Sequence, residues 1–143
     1  ISLDLYQTYI KPAHKKIYKY VKNNSDLFVF LHSCGAIYDF IPDLIDAGVD
    51  ILNPVQFTAA NMDSSKLKKE FGDKITFWGG GVDTQKVLPF GTPEEVIEQV
   101  EEQIKILSPG GGFVFTPVHN IQANVPVDNI IALYETINKN RNY

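Results

Sequence analysis

The chain has one cysteine, one methionine and one tryptophan among 143 residues. A single cysteine excludes an internal disulfide and fits a reducing compartment, so a cytoplasmic location is expected. No apolar run approaches the roughly 18 residues that a membrane-spanning helix needs. No basic stretch followed by an apolar one reads as a secretory signal. Neither sign of charge dominates: 13 Lys and Arg stand against 17 Asp and Glu, for a formal net charge of −4. A nucleic acid would have to be held against that charge, so no such partner is expected, and no membrane partner either. The first residue is Ile1 and the sole methionine is Met62, which reads as a piece of a longer polypeptide. What is present is ordinary for a globular protein, 44% hydrophobic and 21% charged, at a length that suits one domain or part of one.

Helical and extended patterns alternate along the chain. Pro12 opens "KPAHKKIYKYVKNN", and Ile10, Ile17 and Val21 recur at helical spacing, so a helix is expected over about 11–23. A short helix over 2–9 is expected ahead of it. "LFVFLHS" reads as a buried strand, and "AIYDFIPDLIDAG" returns to helical spacing and stops at Gly48. "VDILNPV" is a second strand, and Asp63-Ser64-Ser65 caps a helix to about Glu70. "KITFWGGG" is a third strand. Thr92, Pro93 and Glu95 stand in capping-box positions before the buried stripe Val96, Val100, Ile104 and Leu107. "GFVFTPV" is a fourth strand, and "PVDNIIALYETINK" the last helix.

Four strand–helix units after an opening helix predict a parallel α/β sheet, either half of a TIM-type (β/α)8 barrel or an open doubly wound sheet. Residues 1–143 read as one such unit. Four units do not close an eight-stranded barrel. Completion requires a missing half upstream or a second copy, unless the four strands repack as an open sheet.

Sites in parallel α/β proteins form at the C-terminal ends of strands. His32 and Cys34 follow the first strand, Asn53 and Gln56 the second, Asp83 and Gln85 the third, and His119, Asn120 and Gln122 the fourth. Positions two apart on a strand share a face, with Cα atoms roughly 6.5 Å apart. An imidazole and a thiolate so placed can converge on one ion, and zinc accepts both. His119 is the candidate third ligand. The competing reading makes Cys34 a small buried hydrophobe. Nucleophilic Cys–His catalysis lacks an orienting third group. Asn53, Gln56, Asp83, Gln85 and Asn120 are candidate substrate-binding residues, with helix and turn capping the alternative. His14, on the first long helix, reads as a surface or packing residue. Gly79-Gly80-Gly81 reads as steric room at the mouth, and Gly110-Gly111-Gly112 as a turn at the opposite end.

The runs "LHSCGAIYDFIPDLIDAGVDILNPVQ", "FWGGGVDTQKVLPFGTPEEV" and "PVHNIQANVPVDNIIALYE" resemble the uroporphyrinogen decarboxylase superfamily over residues 10–138. The resemblance implies the C-terminal half of a (β/α)8 barrel. It also implies one of two chemistries. One branch decarboxylates a tetrapyrrole without metal or cofactor. The other comprises zinc-dependent methyltransferases with a His-x-Cys motif and a later cysteine. "HSC" matches that motif at His32 and Cys34. The later cysteine is absent; "VHN" stands in its neighbourhood, with His119 the substitute and Val118 the other aligned position. A substrate-binding histidine of the decarboxylase branch is an alternative match for His119.

The leading expectation is therefore a methyltransferase-like half-barrel with a small-molecule substrate. Zinc at His32, Cys34 and His119 would activate the acceptor, and a corrinoid on a partner protein would carry the methyl group. Decarboxylation in tetrapyrrole biosynthesis is the second expectation. An inactive half-barrel or assembly module is the third.

Overall fold

A computed structural model of the chain describes residues 1–141. A short helix α1 (Leu3–Leu5) runs through a π-helical turn, Tyr6–Ile10, into α2 (Lys11–Asn24). Four strands follow: β1 (Phe30–His32), β2 (Ile51–Asn53), β3 (Thr76–Trp78) and β4 (Phe113–Val114). Between and after them lie α3 (Ile41–Ala47), α4 (Ser64–Phe71), α5 (Val87–Phe90), α6 (Pro93–Leu107) and α7 (Val127–Asn140). None of these helices is long and apolar enough to cross a membrane.

The strands pair in parallel in the order β1-β2-β3-β4. That sequential order is the winding of consecutive barrel units; a doubly wound sheet reverses its strand order at a switch point. The chain is thus half of a (β/α) barrel. Leu31 pairs with Leu52, and Leu52 with Phe77, on the face that the helices cover. Leu52 and Phe77 are fully buried there, in a cluster with Ile41, Leu44 and Leu67. A second cluster joins Val96, Val100 and Ile104 of α6 to Ala132 and Leu133 of α7. The other face presents Phe30, with its ring edge-on to Trp78 at 5.4 Å, and Phe30 stays half exposed.

The strands are shorter than the apolar runs predict. Pairing of β1 begins where Ile51 N–H donates to Val29 O, and Leu27 and Phe28 before it are exposed. The helix expected over 36–48 begins in its α-form only at Ile41, after a 3₁₀ turn at Tyr38–Phe40. Pro42 stands in its first turn, where the N–H that proline lacks would have no intrahelical partner. The four-residue helix α5 lies in a stretch with no periodic signal. Elsewhere the local chemistry matches: Thr92 and Glu95 form the capping box, and Gly48 ends α3 with φ 108°.

Two buried amide side chains lock the helices. Asn129 Nδ2 donates to Leu88 O and Gly91 O, tying α7 to α5, and Ser64 Oγ donates to Gln103 Oε1, tying α4 to α6. At the other end, α2 is held on α3 by ions. Lys11 Nζ lies 2.6 Å from Asp43 and 2.7 Å from Asp46, and Lys15 lies 3.0 Å from Asp46. Hydrogen bonds from Lys11, and then from Gln7, hold the Asp43 carboxyl below the usual range.

Two outcomes are expected. Gly81 sits so close to Phe115 that an added Cβ would lie 2.3 Å from its ring. Gly81→Ala should therefore destabilise the protein by about 1–3 kcal/mol, measured by denaturant unfolding. The depressed Asp43 pKa makes its contribution complete above the usual carboxylate value and lost as pH falls through the folded one. Asp43→Asn should remove that part of the acid loss, up to about 1 kcal/mol, when stability is followed from pH 7 to pH 3.

Candidate functional site

Parallel pairing brings the C-terminal ends of all four strands to one rim. His32 ends β1, and Ser33 N–H continues the ladder to Asn53 O at 2.7 Å. Gly35, at φ 93°, turns the chain away, and its N–H donates to Gln56 Oε1 at 2.8 Å. That bond pins the turn carrying Cys34 to the loop after β2. Beyond β4 the pairing persists: Gly81 N–H donates to Thr116 O and Val118 N–H to Val82 O, at 2.9 and 3.1 Å. This extension delivers His119 to the same rim. Gly80 permits it sterically, since an added Cβ would lie 2.7 Å from the Val55 side chain.

The ligand atoms of His32, Cys34 and His119 all lie within 4.8 Å of one another, and the three residues are exposed. The two imidazole rings stand edge to face, centroids 6.2 Å apart. Cys34 Sγ is 3.3 Å from His32 Nε2. Exposure of Cys34 removes its reading as a buried hydrophobe.

Asn53 decides which nitrogen of His32 is free. Its Nδ2 donates to Trp78 O at 2.9 Å, so its Oδ1 faces His32 Nδ1, 2.6 Å away. An amide oxygen accepts only, so Nδ1 carries the proton and donates, and Nε2 keeps its lone pair toward Cys34. An imidazole oriented by a hydrogen bond on its far nitrogen is the usual support of a metal-binding histidine. Two imidazole nitrogens and a sulfur suit zinc, whose bond lengths put tetrahedral donors roughly 3.3–3.6 Å apart. The 3.3 Å separation of Sγ and Nε2 falls in that range. The residues present therefore fit the ion in donor chemistry, with one donor pair at coordination spacing and all three within 4.8 Å.

A pocket of about 360 Å³ opens beside this cluster. Cys34 and His119 line it together with Gln56, Asp83, Gln85 and Asn120. Four of the five expected substrate-binding residues thus face one space. The fifth, Asn53, has both ends of its amide engaged within the protein and serves His32 instead. Gln56 is shared between the pocket wall and the Gly35 turn.

Residues that the sequence does not single out also stand here. Thr58 and Thr84 line the same pocket. Tyr134 of α7 lines a second cavity against His32 and His119. A third, of about 480 Å³, lies against His32 and Cys34 and includes Tyr6 and His14. The Tyr6 hydroxyl lies 3.3 Å from His14 Nδ1, so His14 is a packing residue beside the site. The one available signal was the π-helical turn that starts at Tyr6, and no periodicity announces such a turn.

Similarities to known proteins agree with the half-barrel fold. A family model described as "Uroporphyrinogen decarboxylase (URO-D)" matches residues 1–140. The methylated-thiol–coenzyme M methyltransferase of Methanosarcina mazei is 25% identical over 130 residues, which are 87% of this chain and 33% of that protein. A solved methyltransferase structure from Methanosarcina mazei shares the fold with a TM-score of 0.74 at 21% identity, covering 97% of this chain and 38% of the other. The chain spans about a third of the length of the curated relative that it matches. With the family model matched over nearly all its residues, the chain belongs to the uroporphyrinogen decarboxylase (URO-D) family.

Proposed function

We propose that residues 1–143 are the C-terminal half of a zinc-dependent methyltransferase barrel that moves a methyl group between a corrinoid on a partner protein and a small thiol. The observation that carries this reading is the convergence of His32, Cys34 and His119 within 4.8 Å, with His32 Nδ1 held 2.6 Å from Asn53 Oδ1. His32 Nε2, Cys34 Sγ and a His119 nitrogen would hold the ion. The chemistry a bound zinc supplies is Lewis-acid activation, which lets a thiol lose its proton at neutral pH. The chain's own residues do the rest. Asn53 keeps the His32 ring turned, with Nε2 toward the ion site. Gln56 holds the Cys34 turn through Gly35 N–H. The adjoining pocket positions the acceptor and limits its contact with water. The curated relative's name, with its methylated thiol and coenzyme M, supports a thiol on one side of the transfer.

The other half of the mouth is supplied by four further strand–helix units, upstream in the same protein or in a second copy. The exposed Phe28 and Phe30 at β1, and Val127, Ile131 and Tyr134 along α7, support such a cover. A second reading, metal-independent decarboxylation of a tetrapyrrole, is favoured by the description of the family itself. It assigns no role to Cys34. Retention of uroporphyrinogen decarboxylation in Cys34→Ala would select it.

Metal analysis of the intact protein after zinc-replete expression should find one zinc per chain in the unaltered protein, and little in Cys34→Ser or His119→Ala. Methyl transfer to a thiol should fall with it. Unchanged metal content and activity in both variants would refute the assignment. Asn53→Ala keeps all three ligands but frees the His32 ring. Its zinc affinity should drop about 10–100-fold in a competition titration with a chromogenic chelator.

A further inference from the structure

The pocket beside the three ligands contains an isolated carboxylate. Asp83 is 4% exposed, yet it lines the open space. One oxygen, Oδ1, accepts the Gln85 N–H at 2.8 Å. Among the described residues no lysine, arginine or histidine nitrogen comes within 4.0 Å of the carboxylate. The rest of the pocket lining is hydroxyls and amides together with Cys34, Val118 and His119, and no lysine or arginine of the described residues lines it. Carboxylates this deeply buried are normally paired, because desolvation of an unpaired one is costly.

The backbone around Asp83 is rigidly held. Its N–H donates to Gln99 Oε1 of α6 at 2.7 Å, and its carbonyl accepts from Leu88 N–H at 2.9 Å. The fold thus places an acid without a cationic side-chain partner among the described residues in a pocket whose other wall is Cys34 and His119. Asp83 is also not among the three clustered ligands. A cationic group on a bound ligand would pair with it from the pocket side.

We propose that Asp83 is a specificity-determining residue that binds the protonated amine of the acceptor, so that the thiol taken by this site is an aminothiol. The inference rests on the zinc–thiol reading for the sulfur end and on Asp83 alone for the amine end. Gln85 and Thr84, beside Asp83 on the same loop, supply neutral polar contacts around the ammonium. An acceptor with an anionic tail is disfavoured at this wall.

Isothermal titration calorimetry on the intact, zinc-loaded protein tests this with three series of two to four carbons: ω-aminothiols, ω-mercaptoalcohols and ω-mercaptosulfonates. The best aminothiol should bind at least about ten-fold tighter than the mercaptoalcohol of equal length, and the sulfonate weakest of the three. Asp83→Asn keeps the acceptor for Gln85 N–H. It should level the first two series and leave the mercaptoalcohols unchanged. Equal binding of amine and alcohol, a preference for sulfonate, or a preference that survives Asp83→Asn would overturn the proposal. Should the variant fail to fold, the three series on the unaltered protein still decide. Ethanolamine separates the two layers: if zinc takes no thiol, Asp83-dependent ethanolamine binding persists, whereas failure of every amine to bind overturns the role of Asp83.

Discussion

Parallel alignment of four consecutive strands is the constraint on which the rest depends. Each strand ends at the same rim, so groups far apart in the chain meet without any long-range device. His32 and His119 are brought to a 6.2 Å ring separation by pairing that continues beyond the ladder of β3 and β4. An antiparallel partner at any step would send half of these residues to the opposite end. The helices serve that alignment: their burial on one face leaves the other free to carry the site's supports.

Within the rim a single amide does the finest positioning. Asn53 reaches β3 through Trp78 O and β1 through His32, so it ties three strands and selects a tautomer at once. Neither bond would suffice alone. Without the contact to Trp78 the amide could rotate and offer its NH₂ to His32. The imidazole would then be turned to its other tautomer, with a proton on the nitrogen that faces Cys34. The orientation of a strand-end histidine is thus set two strands away.

The architecture was legible because hydrophobic periodicity reports burial, and burial governs helices and strands here. Position at strand ends pointed to His32 and His119, but Cys34 lies past the end of β1, and the turn fixed by Gly35 N–H to Gln56, rather than strand alternation, brings it to His32. Asn53 and Asp83 were visible only as polar residues in loops, where no period distinguishes a residue that grips a neighbour from one that faces a ligand. Asn53 turned inward to the protein, and Asp83 became buried against a pocket; both outcomes come from contacts with strands or helices distant in sequence. The start of α3 was misjudged for a local reason. Apolar spacing through Ile37 and Phe40 suits a helix, but that turn forms as 3₁₀, and Pro42, which lacks an N–H, sits where the α-helix begins.

The aromatic pair on the uncovered face of the sheet has an optical meaning. Trp78 is the sole indole of the chain, its ring meets Phe30, and its carbonyl is the anchor of Asn53. Indole emission moves to shorter wavelength when water leaves its surroundings. The protein therefore carries a built-in fluorophore on the uncovered face, next to the anchor of the rim, and a simple emission spectrum registers whether water reaches it.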